Sequence, residues 1–139
     1  MFLLDTNIIS EWWVVKPSPQ VIQWVEENVW HVPAPVIAEI QEGAEASPSV
    51  ARKIQINALL DKFLESYEGL VLPWDTETAR VWGRLQHSQE VIRKPQALWD
   101  SVIDAMAVRY DVTIVTRNGK DFRHGKTFNP FDLPAKASA

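Results

Sequence analysis

The chain opens on an unbroken apolar run, Phe2-Leu3-Leu4, which ends in the polar triplet Asp5-Thr6-Asn7. A run without alternation predicts a short strand buried on both faces. Apolar residues return at Ile8 and Ile9, so a helix is expected from about Ile8, with Thr6 or Asn7 as its N-cap. Residues 16–20, "KPSPQ", break that helix, and Ser18 with Pro19 opens the next, "QVIQWVEENV". The stretch "VWHVPAP" reads as a short extended piece. Pro35 suits the first turn of a helix that carries Val36, Ile37, Ile40 and Ala44 on one face and closes at Gly43 and "SPS". A long helix over residues 50–67 shows Ile54, Ala58, Leu59 and Phe63 at helical spacing.

"GLVLPWD" predicts a second strand, and Asp75 or Thr76 caps a helix running through Val81 and Leu85. The polar stretch "HSQEVIRKPQ" reads as a loop above the body of the domain. "ALWDSVIDAMAVRY" predicts a helix and "DVTIVTRN" a third strand, which ends like the first in a polar triplet, Thr116-Arg117-Asn118. "KTFNPF" adds a last short strand, and residues 134–139 read as a disordered tail. No repeat or long linker divides the chain, so a single domain over residues 1–133 is expected. Strands alternating with helices predict an α/β fold, a three-layer α/β/α sandwich around a short parallel sheet. Such sheets bind ligands at the carboxyl ends of their strands, which is where Asp5 stands. The competing reading of Asp5 is a helix cap, a role that Thr6 or Asn7 fills equally well.

Composition narrows the class. The chain has 139 residues, 46% hydrophobic and 23% charged, enough for one sizeable core. It has no cysteine, which excludes disulfides and thiolate metal sites and fits a reducing cytoplasm. No apolar run approaches the roughly 18 residues of a membrane span, and the opening lacks the pattern of a secretory signal. A net charge of −4 argues against broad charge-driven binding to nucleic acid, while allowing a local basic patch or a metal-bridged substrate. Seven tryptophans are expected mostly in the core. Trp12 and Trp13 would point about 100° apart on a helix, so one of them is a candidate for a protein interface.

Four carboxylates carry candidate chemistry. Asp5 is placed by the strand-end rule. Glu39 lies at the edge of its helix's apolar face, and by itself reads as solvated, like Glu42 and Glu45. Asp100 and Asp104 are four apart and share a face, a repulsion of a few tenths of a kcal/mol. A divalent cation between them and Asp5 would turn that repulsion into attraction. Leu98, Trp99, Val102, Ile103 and Met106 lie opposite, so the aspartates facing water is the competing reading; Ala97, Ala107 and Val108 on their own face count against it. His31, His87 and His124 show no metal-ligand spacing, and no glycine-rich phosphate loop or nucleophile elbow is present. A phosphatase built on Asp5 lacks a second aspartate and a lysine partner. Arg117, Lys120, Arg123 and Lys126, with His124 among them, gather just past a strand end, where a carboxylate site would let them hold a phosphate backbone.

Taken together, "LLDTNIISE", "APVIAEIQEGA", "LWDSVIDAMAV" and "IVTRNGKDF" resemble the PIN domain, and most of all bacterial VapC-type toxins of the FitB-like branch. The resemblance runs from Met1 to about Leu133. It implies a ribonuclease dependent on Mg²⁺ or Mn²⁺, with Asp5 and Asp100 as metal ligands and Glu39 positioning a metal-bound water or accepting its proton. Thr6, Asn7 and Thr116 match polar positions beside the acids. The family's fourth acidic position falls on Asn118, which is neutral but would still hydrogen-bond a metal-bound water as a site residue; Asp121 stands nearby as the alternative substitute. Asp104 occupies a place where the pattern has alanine and would be an extra acid. Arg117 and Lys120 would contact the RNA. The resemblance further implies a cytoplasmic homodimer and a cognate antitoxin that blocks the cleft and carries the contact to promoter DNA. The alternative is a non-catalytic PIN-like module that binds protein or RNA.

Overall fold

The computed structural model describes residues 1–135. Five short strands, β1 (Phe2–Leu4), β2 (Val32–Pro33), β3 (Val71–Leu72), β4 (Thr113–Val115) and β5 (Thr127–Phe128), alternate with seven helices. The helices are α1 (Thr6–Glu11), α2 (Pro19–Glu27), α3 (Ala34–Ala46), α4 (Val50–Tyr67), α5 (Thr76–Leu85), α6 (Gln89–Arg93) and α7 (Leu98–Tyr110). β4 pairs in parallel with both β1 and β5, and β2 pairs in parallel with β3. The two pieces join where Leu4 N donates to His31 O at 2.9 Å and His31 N to Phe2 O at 2.8 Å. The order is therefore β3-β2-β1-β4-β5, all parallel. Leu3 and Leu4 are both fully buried, as are Ile114 and Val115. Successive strand residues point to opposite faces, so the sheet is covered on both, which makes the sandwich.

Several boundaries differ from expectation, each for a local reason. α1 begins at Thr6 because Asp5, not Thr6 or Asn7, is its cap, with Oδ1 accepting from Thr6 N at 2.8 Å. α3 runs past Gly43 to Ala46, since a lone glycine weakens a helix without ending it. The stretch read as a loop holds α6, opened by Ser88 accepting from Val91 N. α4 spans the expected residues, but Leu60 and Phe63 are its buried side chains while Ile54 is 64% exposed. Of the tryptophans, only Trp24 and Trp30 are buried; Trp12, Trp13, Trp82 and Trp99 are half-buried and Trp74 is exposed. Trp12 closes an aromatic cluster with Trp30, Phe63 and Tyr67, at centroid distances of 5.6, 5.8 and 6.2 Å. Among the described residues no helix is long and apolar enough to cross a membrane. Most of the tail expected to be disordered, residues 136–139, lies outside the described residues.

Candidate active site

The two polar triplets meet because β1 and β4 are parallel neighbours in register, Leu4 opposite Val115. Each strand therefore ends at the same edge. Asp5 N donates to Val115 O at 3.0 Å, and Thr116, fully buried, donates its hydroxyl to Asp5 Oδ2 at 2.8 Å. Asn7 ties the triplets together: Nδ2 donates to Asp5 Oδ2 at 3.2 Å and Thr116 Oγ1 at 3.3 Å, while Oδ1 accepts from Arg117 N at 3.0 Å. Thr116 Oγ1 also accepts from Asn118 N at 3.0 Å. Asp5 is thus pinned by donors on both oxygens, with its orientation set by two strands and α1.

The open cleft above this edge is lined by Asp5, Thr6, Asn7, Glu11, Glu39, Asp100, Arg117, Asn118 and Asp121, with Ser10 and Val14. Glu39 reaches it from α3, accepting a hydrogen bond from the Thr6 hydroxyl. Asp100 comes from the first turn of α7 and Asp121 from the turn after Asn118. Burial pushes Asp5 above the usual carboxylate range, although Thr116, Thr6 N and Asn7 pull it back and Asp121 adds repulsion. Burial likewise raises Glu39, against the Thr6 bond and together with the charges of Asp5 and Glu42. Asp100 is pushed up to about 6, by burial and then by the charges of Asp5, Asp121 and Glu39. These groups feel one another as like charges in one cleft.

The structure brings together Asp5, Thr6, Asn7, Glu39, Asp100, Arg117, Asn118 and Asp121, with Thr116 directly behind. Lys120 is exposed and does not line the cleft. Asp104 is a correction. It is 1% exposed and faces neither water nor the acids, because the chain at residues 123–125 crosses its turn of α7 and takes up its carboxylate. Glu11 was missed. It is 8% exposed, and its Oε1 accepts from Ser18 N at 2.6 Å. Its spacing of four from Asn7 places both on one face of α1, a signal available in the sequence.

Among the described residues no three acidic or imidazole side chains are gathered closely enough to grip an ion directly. The donor chemistry nevertheless fits a hard divalent cation. Every candidate ligand is an oxygen, the carboxylates repel one another, and Mg²⁺ commonly keeps several waters and takes only one or two carboxylates.

Comparison with known proteins agrees with this geometry. A family model described as PIN domain matches residues 2–126. VapC ribonuclease Y4jK of Sinorhizobium fredii is 31% identical over 126 residues, covering 88% of this chain and 90% of that protein. Toxin FitB of Neisseria gonorrhoeae is 27% identical over 137 residues, covering 94% and 99%. The crystal structure of FitAcB from Neisseria gonorrhoeae superposes with a TM-score of 0.82 at 27% identity, over 96% of this chain and 100% of that one. FitAB bound to an IR36 DNA fragment gives 0.78 at 25% identity, over 99% and 100%. With its acids at one end of a parallel sheet and a matched span covering most of its length, this chain belongs to the PIN domain family.

Proposed function

We propose that this chain is a metal-dependent endoribonuclease and the toxin of a toxin–antitoxin pair, carried by one domain over residues 1–133. The observation that carries this reading is the convergence of Asp5, Glu39, Asp100 and Asp121 on one cleft at the carboxyl ends of β1 and β4. Two relatives support it by name, a VapC ribonuclease and a toxin.

Asp5 and Asp100 would hold Mg²⁺ or Mn²⁺, with Asp121 in place of the neutral Asn118 as the further carboxylate. When bound, the ion would lower the pKa of its water and offset charge on the scissile phosphate. Glu39 has Oε1 occupied by the Thr6 hydroxyl, which leaves Oε2 as the oxygen that would take a proton from the attacking water. Thr116 and Asn7 keep Asp5 from turning away. Arg117 would meet the RNA backbone, its guanidinium seated 3.7 Å over the Phe131 ring, with Lys120 adding charge nearby.

The partner reading rests on a second surface. Trp13, Val14, Ile40 and Ile56 line an apolar groove that shares Thr6, Ser10, Val14 and Glu39 with the acidic cleft. FitB, a relative, is solved as FitAB on DNA. An apolar antitoxin segment in this groove would cover the cleft, and promoter DNA would be reached only through that antitoxin. The toxin would act in the cytoplasm as a homodimer.

The test is cleavage of RNA by antitoxin-free protein with Mg²⁺, Mn²⁺ or EDTA, beside Asp5→Asn. Cleavage that requires metal and is lost in the variant is expected. A folded, metal-loaded wild type that is as inert as the variant on varied RNAs would replace this reading with that of a binding module.

A further inference from the structure

One turn beyond Asp100 on α7, the buried Asp104 carboxylate gathers an unusual set of donors. Oδ1 accepts from Gly125 N at 2.8 Å and His124 N at 3.3 Å. Oδ2 accepts from His124 N at 3.2 Å, Arg123 N at 3.3 Å and Gln96 Nε2 at 3.4 Å, and His124 Nδ1 stands 3.0 Å from it. Three successive backbone N–H groups turned on one carboxylate form an anion-holding bend. The fit is close. A Cβ at Gly125 would stand 3.0 Å from both Ala107 Cβ and Ile114 Cδ1, and 3.2 Å from Asp104 Oδ1.

The same network reaches back to the cleft. Gln96 Nε2, besides meeting Asp104, donates to the backbone carbonyl of Asp121 at 3.0 Å. The Arg123 side chain donates to Lys94 O at 2.9 Å and Lys120 O at 2.6 Å. The backbone on both sides of Asp121 is thereby tied to α7 and to the segment leading into it. Asp121 itself lines the cleft beside Asp5 and Asp100.

We infer that Asp104 is a positioning residue: through the 123–125 backbone and Gln96 it sets where Asp121 stands at the acidic cleft. The catalytic consequence rests on the nuclease reading; the structural consequence does not. Asp104→Asn exchanges one acceptor oxygen for a donor and leaves part of the bend unmatched. Gln96→Leu removes the link to Asp121 and one side-chain donor to Asp104 while leaving the three backbone N–H bonds of the bend, at a half-buried rather than a core position.

Two measurements test this, each on the full chain. The first is amide hydrogen exchange at residues 119–125, where Asp121 N bonds Asn118 O and Phe122 N bonds Gly119 O. The second is Mn²⁺-supported cleavage of a mixed-sequence oligoribonucleotide, alone and with Asp121→Asn. Expected are lost protection at Asp121 and Phe122 in both variants and a fall in kcat of about tenfold with KM unchanged, as for groups that orient metal ligands. In the Asp121→Asn background neither variant should lower kcat further. Leu60→Ala, a core change in α4, should lower Tm without this kcat loss. Unchanged protection, or losses that multiply with Asp121→Asn, would overturn the inference. If the wild type cleaves nothing, the nuclease reading fails, and exchange alone still decides: lost protection upholds the positioning role and unchanged protection ends it.

Discussion

Asp5 caps α1 through Oδ1 and faces the cleft beside Glu39 and Asp100, so its two readings were never alternatives. The substitutions separate them. Asn also caps helices, so Asp5→Asn should keep Tm near wild type while lowering RNA cleavage by roughly a hundredfold. Asp5→Ala should lose the cap as well, about 1 kcal/mol by denaturant melts. Asp100 titrates from an ordinary 3.8 in the unfolded chain to about 6 when folded. Between those values the folded state holds a proton that the unfolded chain has released. Stability in EDTA should therefore fall as pH rises from about 4 to 6 and level off above, and Asp100→Asn should flatten that slope in thermal melts. Arg117→Ala should raise KM several-fold with kcat nearly unchanged, and reduce the salt dependence of RNA binding by a slope of about 1. Asp5 was legible from its place at a strand end, whereas Glu39 and Asp121 look like any solvated acid until the family resemblance singles them out. Asp104 carries the same type and is occupied elsewhere, because a carboxylate's role depends on which donors face it.

Strand ends and helix caps explain most of the boundaries. A continuous apolar triplet marked β1, the apolar pair Ile114-Val115 marked β4, and serine or aspartate opened α1, α4, α5 and α6. α6 escaped notice because it is five residues long, too short for a period to show. On α4 the expected Phe63 is buried, but Leu60 rather than Ile54 joins it, because the apolar residues are spread around the helix and spacing alone does not choose among them. The packing of α7 against the 123–125 segment is tight enough to predict a cost. Gly125→Ala should destabilise the protein by about 1–3 kcal/mol, since the methyl of Ala107 sits on helix backbone and cannot easily give way. Equal denaturation midpoints for Gly125→Ala and wild type would show that the segment lies further from α7 than described.

Across the whole molecule, the acidic cleft and the apolar groove adjoin, so a single partner segment can fill one while shielding the other. Trp13→Ala should weaken antitoxin binding by about thirtyfold, the equivalent of ~2 kcal/mol for a buried aromatic anchor, beyond the fall in Tm expected from its packing against the core. Trp12→Ala should instead lower Tm markedly, because its ring packs on Trp30, Phe63 and Tyr67. Hydrophobic periodicity and strand-end polarity were enough to read the α/β class, the parallel sheet and Asp5, because those signals are local and repeat within a few residues; Asp100 stayed open between site and solvent, and Glu39 and Asp121 entered only through the family resemblance. The meeting of Asp5 with Thr116, more than a hundred residues apart, followed from the same rule applied twice. Which aspartate completes the cleft, and which one anchors the loop behind it, depended on how the 118–125 segment folds back over α7. That path is set by long-range packing and by donors brought together only in the folded chain, and no spacing along the sequence encodes it.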